Sequence, residues 1–424
     1  MIAAVGTLAD DDDDEPARAA AIAAARDSYG RLLSSLAWQW RDIAAAEDAL
    51  SEAFPTALAC WPRDGMPESP AGWLMTAAKR NLLKAARRRR QAEDPTLTAL
   101  FPTEHDEAPP LSTLPDDRLR LMFVCAHDAI DPTVRSALML QTVLGLDAAR
   151  RAAAFLVSTE AMTKRLVRAK AKIRATGIRF EEPQADELSS RVDAVLDAIY
   201  GCYTLHWGQQ QEQSAQALAD EALFLAELVA ARLPADAEAL GLLSLLLLCE
   251  ARRPARLDAQ GDFVPLDEQD PGRWDAGPIH RANSLIARAA ALNDPGPFQI
   301  EVAIQAAHCH RLHGNHTPWA DIVVLYERLI AMHPSIGARI GHAVAAAQAS
   351  DDAAIGLQLL DSIEAEALQV HQPWWAARAH LLASLPGRDE EAVEAYGCVL
   401  SLTSEPALQR HLAKHLAALR GPLH

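Results

Sequence analysis

Trp73, Lys79, Arg80, Asn81, Lys84, Arg87 and Arg88 crowd into one short stretch, SPAGWLMTAAKRNLLKAARRRR, residues 69–90. Arg80, Lys84, Arg87 and Arg88 lie three, four or seven apart, and Trp73 stands seven before Arg80, so on a helix they share one stripe. Cations at that spacing can track the phosphates of a nucleic-acid strand, and a flat ring at their head can stack on an unpaired base. An exposed basic helix whose tryptophan packs into a core has the same composition, and this stretch alone leaves both readings open.

A second group, Ser158, Thr159, Glu160, Thr163, Lys164 and Arg168, has the side chains needed to reach base edges in a major groove. A third, Asp48, Ser51 and Glu52 beside Glu47, makes an acidic and hydroxyl patch, which is also the composition of an ordinary solvated helix face. The run HCHRLHGNH, residues 308–316, gathers imidazoles and a thiol, but consecutive residues diverge around a helix, so no metal site is predicted. Cys125 and His127 read as packing residues. No phosphate-cradling glycine loop, nucleophile elbow or paired-carboxylate plan stands out, which argues against an enzyme and against a cofactor.

Local signals define the elements that must carry these groups. Ser69 and Pro70 read as N-cap and first helical residue of a helix running into the arginines. Before it, residues 20–61 are helical in pattern. Tyr29, Leu32, Leu33, Leu36, Ala37 and Trp40 build one face, then Leu50, Phe54, Leu58 and Trp61 point inward, with Glu47, Asp48, Ser51 and Glu52 outside and a kink predicted at Pro55. Residues 62–70, rich in turn formers, read as a loop. Residues 91–115 interleave prolines with acids and read as an extended anionic linker. From 116 to 174 two apolar stripes are followed by a break at Gly145, a short helix at 147–155 and a longer one opening at Ser158 or Thr159, the length plan of a helix-turn-helix. In the last helix Met162, Leu166, Ala169 and Ile173 form the inner face.

With 424 residues, half of them hydrophobic, the chain is long enough for several domains. Sparse aromatics and scarce β-branched runs predict an all-α fold. Six cysteines without paired spacing imply reduced thiols in a cytoplasmic protein, and the apolar run at 240–248 is too short to span a bilayer, so no membrane association is expected. The net charge of −17 is unevenly divided: residues 1–180 carry 24 basic and 24 acidic side chains, residues 181–424 carry 16 and 33. Local fields, not the total, govern whether a polyanion docks, so the first part retains two cationic helices able to bind one.

Taken together, residues 46–62 (AEDALSEAFPTALACWP), 70–90 (PAGWLMTAAKRNLLKAARRRR) and 156–174 (LVSTEAMTKRLVRAKAKIR), in that order and parted by an acidic linker, resemble bacterial RNA polymerase sigma factors of the extracytoplasmic-function type. The remainder, through RFEEP (179–183), LDEQDPGRWD (266–275) and the helix pairs after Pro297, resembles the subgroup with a tetratricopeptide-like helical extension. WADIVVLYERLIAMHPSIGARIGHAVAAA and DEEAVEAYGCVLSLTSEPALQRHLAKHLAAL independently read as stacked helix pairs with a concave face for a peptide or protein ligand.

The resemblance implies an acidic disordered tail (1–19), a region 2 bundle (20–90), the linker (91–115), a region 4 helix-turn-helix (116–178), a helical extension (184–295) and repeats (296–424). It implies core RNA polymerase as a partner through Asp48, Ser51 and Glu52. Promoter DNA is the other, the −10 element held by Trp73, Lys79, Arg80, Asn81, Lys84, Arg87 and Arg88 and the −35 element by Ser158, Thr159, Glu160, Thr163, Lys164 and Arg168. The chain departs from the pattern at Lys84, often acidic there, at Ser51, often larger, and at Ala149, Arg150 and Arg151, where an acidic pair and an aliphatic core residue are usual. A degenerate sigma-like scaffold that binds protein without reading promoters is the alternative.

Overall fold

The computed structural model describes residues 15–93, 116–145, 158–181, 185–207, 213–314, 316–364 and 366–420. The acidic segment before residue 15, most of the linker, and the short helix at 147–155 with Arg151 lie outside the described residues. Among the described residues the fold is all-helical: seventeen α-helices, short 3-10 turns, and a lone β-bridge between Leu257 and Phe263. It divides into two compact units, Met1–Leu205 and His206–His424.

The first unit is built on α1 (Glu15–Trp40), which packs against α2 (Ile43–Asp64), α3 (Pro70–Glu93), α4 (Arg118–Cys125) and α5 (Pro132–Thr142); α6 (Thr159–Ala175) and α7 (Ala185–Trp207) follow. Leu32, Leu33 and Leu36 of α1, Leu50 of α2, Leu74 and Met75 of α3, and Leu121, Met122, Leu138 and Met139 of α4 and α5 are fully buried. Each such side chain contributes about 1.5–3 kcal/mol of transfer free energy. The helix α1 opens at Glu15 rather than near residue 20, because the alanine-rich run after Pro16 favours helix from the start.

Asp42 caps α2, its side chain accepting the Ala45 N–H at 3.0 Å, and Gly65 ends it at φ +83°. The helix continues through Pro55, and Pro62 lies in its last turn, so the loop shrinks to residues 65–69. Burial of Ala53, Ala57 and Trp61 on the inner side holds the helix across the amide hydrogens that proline lacks. Ser69 caps α3 as its position predicts, accepting the Gly72 N–H at 3.2 Å.

The second unit is organised around α9 (Ala237–Ala251), which follows α8 (Gln213–Arg232) and packs against it, α10 (Ala276–Ala291) and α11 (Pro297–His308). Leu240, Leu242, Leu243 and Leu245 to Leu248 are all buried, so α9 is apolar around its whole circumference. No described helix is long and apolar enough to cross a membrane. Three helix pairs complete the unit: α12 (Trp319–Met332) with α13 (Ile336–Ser350), α14 (Ala353–Asp361) with α15 (Gln372–Ala383), and α16 (Asp389–Leu402) with α17 (Pro406–Arg420). The irregular segment 252–275 is braced on both sides. Arg311 donates to the carbonyls of Leu266 (2.5 Å) and Gln269 (2.7 Å), while the Asp262 carboxylate takes Arg410 and Lys414 of α17, each at 2.5 Å.

Candidate nucleic-acid interface

Helix α3 turns Leu74, Met75, Ala78 and Leu82 inward, and this burial fixes which side chains face out. Arg80, Lys84 and Arg88, one turn apart, are exposed and form the outer row; Lys79 and Arg87 flank it half-buried. Trp73 at the head of the row is also half-buried, edge-on to Trp61 of α2 with ring centroids 5.6 Å apart. Asn81, assigned to the nucleic-acid strip by its position, instead faces α2: its side-chain amide donates to the Ala49 carbonyl at 3.1 Å. Asn81 thereby holds the register of α3 on α2.

The second group sits on α6. Ser158 caps it, accepting the Ala161 N–H at 3.3 Å. Met162, Leu166, Ala169 and Ile173 are buried, and Ser158, Thr159, Glu160, Thr163, Lys164 and Arg168 are all exposed. Glu160 and Lys164 pair one turn apart at 2.6 Å, and Thr163 donates back to the Thr159 carbonyl at 2.8 Å. The first turn thus offers alternating acceptors and donors on a stable cap, with Arg165 and Arg168 beyond.

On α2, Asp48 and Glu52 are exposed, while Ser51 is half-buried with its hydroxyl donating to the Glu47 carbonyl at 2.6 Å. Asp42, Asp48 and Glu52 line one shallow groove of about 130 Å³ between α2 and α3, together with Trp40 and Asn81. Asp42 escaped the sequence reading because its capping role is local and its place in this groove is not. Glu47 is a correction. Placed outside by periodicity, it is only 12% exposed and binds Lys170 of α6 at 2.5 Å and Gln141 of α5 at 3.1 Å. A partner 123 positions away leaves no trace in local spacing.

Cys125 and His308 are held in packing contacts. Cys125 is buried 3.7 Å from the Thr142 hydroxyl, and burial pushes its thiol up to about 12, where it is unreactive. His308 meets Trp319 edge-on at 5.3 Å; burial first, then the Arg252 and Arg311 guanidiniums, push it down to about 4. Among the described residues no three His, Cys, Asp or Glu side chains are grouped to hold a metal.

Across 397 residues the chain is 35% identical to an uncharacterized protein of Rhizobium meliloti (strain 1021), an alignment spanning 91% of this chain and 93% of that one. The chain belongs to that protein's family. Within the family chain, residues 191–290 match the model of a family of unknown function, DUF6596. That match covers the end of the first unit, α8, α9, the braced segment and nearly all of α10, so the α9-centred part is what the family model describes. No solved structure matches the chain.

Proposed function

We propose that this protein is a sigma-type initiation factor that directs core RNA polymerase to promoters, and that its second unit is a regulatory helical-repeat domain. The observation that carries the reading is the presence of two cationic helices, α3 and α6, each anchored by a buried apolar face, with Arg80, Lys84 and Arg88 of the first and Lys164, Arg165 and Arg168 of the second turned to solvent. In this reading α6 enters the −35 major groove with Ser158, Thr159, Glu160, Thr163, Lys164 and Arg168. Arg80, Lys84 and Arg88, flanked by Lys79 and Arg87, hold the displaced strand at the −10 element, with Trp73 available for stacking. Asp48 and Glu52 carry the contact with polymerase, and Asn81 positions α3 rather than touching DNA.

No covalent chemistry is required of the protein. Unstacking a base costs a few kcal/mol, which phosphate contacts and stacking must return. Reconstitution with core polymerase tests the reading: run-off transcripts from a defined start point support it, and start-site mapping after overproduction supplies the promoter. Association without a selected start point, or no association, refutes it. A scaffold that binds only protein is the second reading, favoured by the contact of α6 with α2, which engages both candidate DNA-binding halves with each other. Deleting residues 206–424 tests the regulatory assignment; unchanged promoter-dependent output sinks it.

A further inference from the structure

A cavity of about 410 Å³ lies in the first unit where three elements meet: the turn after α4, the segment that leaves α6, and the first two turns of α7. Its residues belong neither to the basic rows of α3 and α6 nor to the acidic groove beside α2. The volume falls among those of small-molecule sites, roughly 300–1,000 Å³. Arg191 of α7 is only 6% exposed, and Glu187, one turn before it, meets its Nη2 at 3.1 Å. The Nε–H of the same guanidinium has no acceptor. A buried donor left unmet is uncommon and asks for a partner.

Neighbouring groups fix what two further side chains on the lining can offer. The Ala129 N–H donates to Nδ1 of His127 at 3.1 Å, so in the neutral ring the proton is on Nε2, which can only donate. Burial first, then the Arg191 guanidinium, hold His127 below its ordinary value and so neutral near pH 7. Thr176 gives its hydroxyl proton to the Lys172 carbonyl at 2.7 Å, which leaves its oxygen only lone pairs for a ligand. Glu181 adds a carboxylate, held loosely by Arg179 at 3.8 Å with side chains 59% and 81% exposed. Thr176 and Gly177 follow the last turn of α6, so the negative end of that helix dipole borders the cavity too.

We infer that the cavity seats a free α-amino acid, its carboxylate on Arg191 and the His127 Nε2–H, its ammonium on Glu181, the Thr176 hydroxyl and the carbonyl end of α6. Charge selects a zwitterion over ligands of one sign. Arg179 and Arg191 against Glu181 and Glu187 leave the lining without net charge. A phosphate dianion would meet two carboxylates and a helix C-terminus, and a diamine would meet two guanidiniums. Ala129 and Ile178 give the amino-acid side chain an apolar wall. Arg168 lies eight residues before Thr176, about 12 Å along the helix axis, so occupancy leaves the exposed face of α6 open. The seat stands whether or not α6 reads DNA.

Calorimetric titration of the full chain with each common L-amino acid singly, and with acetate, methylamine and inorganic phosphate, tests the seat. At least one amino acid should bind saturably at micromolar to millimolar concentration and raise the melting temperature, while the three probes of one sign do not. Glu181→Gln, whose side chain is largely exposed, should melt as wild type and bind that amino acid on the order of tenfold more weakly. Arg191→Lys keeps a buried cation but loses the planar fork, and should weaken binding at least as much. Glu160→Gln, on the outer face of α6, should bind as wild type. No binding of any amino acid by the wild-type chain overturns the seat. So does a probe of one sign that binds as tightly as the amino acid, or wild-type affinity in either Glu181→Gln or Arg191→Lys, which would put the ligand elsewhere.

Discussion

Glu238 of α9 accepts the backbone N–H of Phe298, in the first turn of α11, at 2.8 Å. Its other oxygen takes the Gln299 N–H at 3.1 Å, so a carboxylate from one helix caps the start of another. Gly296 makes room, since a Cβ there would fall 2.2 Å from the Glu238 carboxyl carbon. Glu238→Ala should cost about 1–2 kcal/mol in urea unfolding, and Glu238→Gln less, because one carbonyl acceptor remains.

Gly356 of α14 is in close contact with α13. A Cβ at this position would lie 2.7 Å from the Ala343 carbonyl oxygen and 2.8 Å from the Ala347 Cβ. Helix propensity alone favours alanine over glycine by about 1 kcal/mol. Overpacking of about 1–3 kcal/mol should exceed that, so Gly356→Ala is expected to lower the melting temperature of the second unit; a rise would show that the two helices separate readily.

Under the initiation reading, Arg80, Lys84 and Arg88 each neutralise a phosphate. The triple alanine variant should bind promoter DNA as holoenzyme with a log-log salt dependence shallower by about 2, at about 0.7 per phosphate of a single strand. Its melting temperature should match wild type, since all three side chains are exposed. An unchanged salt dependence would remove α3 from the interface.

His308 makes the second unit sensitive to mild acid. Its folded value of about 4 lies below the ordinary 6.5, so between those values the unfolded chain binds the proton and the folded chain does not. Stability is fully present above pH 6.5 and declines as pH falls toward 4, by at most about 3 kcal/mol. His308→Phe, which keeps an aromatic edge for Trp319 and cannot take a proton, should flatten the denaturation midpoint across that range; equal slopes would exclude His308 as the cause.

Periodicity reads residues whose neighbours are close in sequence. Met162, Leu166, Ala169 and Ile173 emerge from a spacing of three and four, and all four are buried. Ser69 and Ser158 announce their helix starts for the same reason. Asn81 and Glu47 fail that kind of reading because their partners, Ala49 and Lys170, come from other helices, and a polar residue seen alone carries no sign of whether water or a distant group satisfies it. Pro55 and Pro62 fail it in the opposite sense: a helix held by packing on its inner side tolerates what an isolated helix would not.

The leucine-lined α9 sets a limit on how this array can be cut. Stacked repeats ordinarily lose or gain a module at little cost, since each touches only its neighbours. Here one rod is roofed by three others and its whole girth depends on them. Trimming from the C-terminal side first takes Arg410 and Lys414 away from the buried Asp262, whereas removing α8, α10 or α11 strips a greasy column bare and should send the remnant into aggregates.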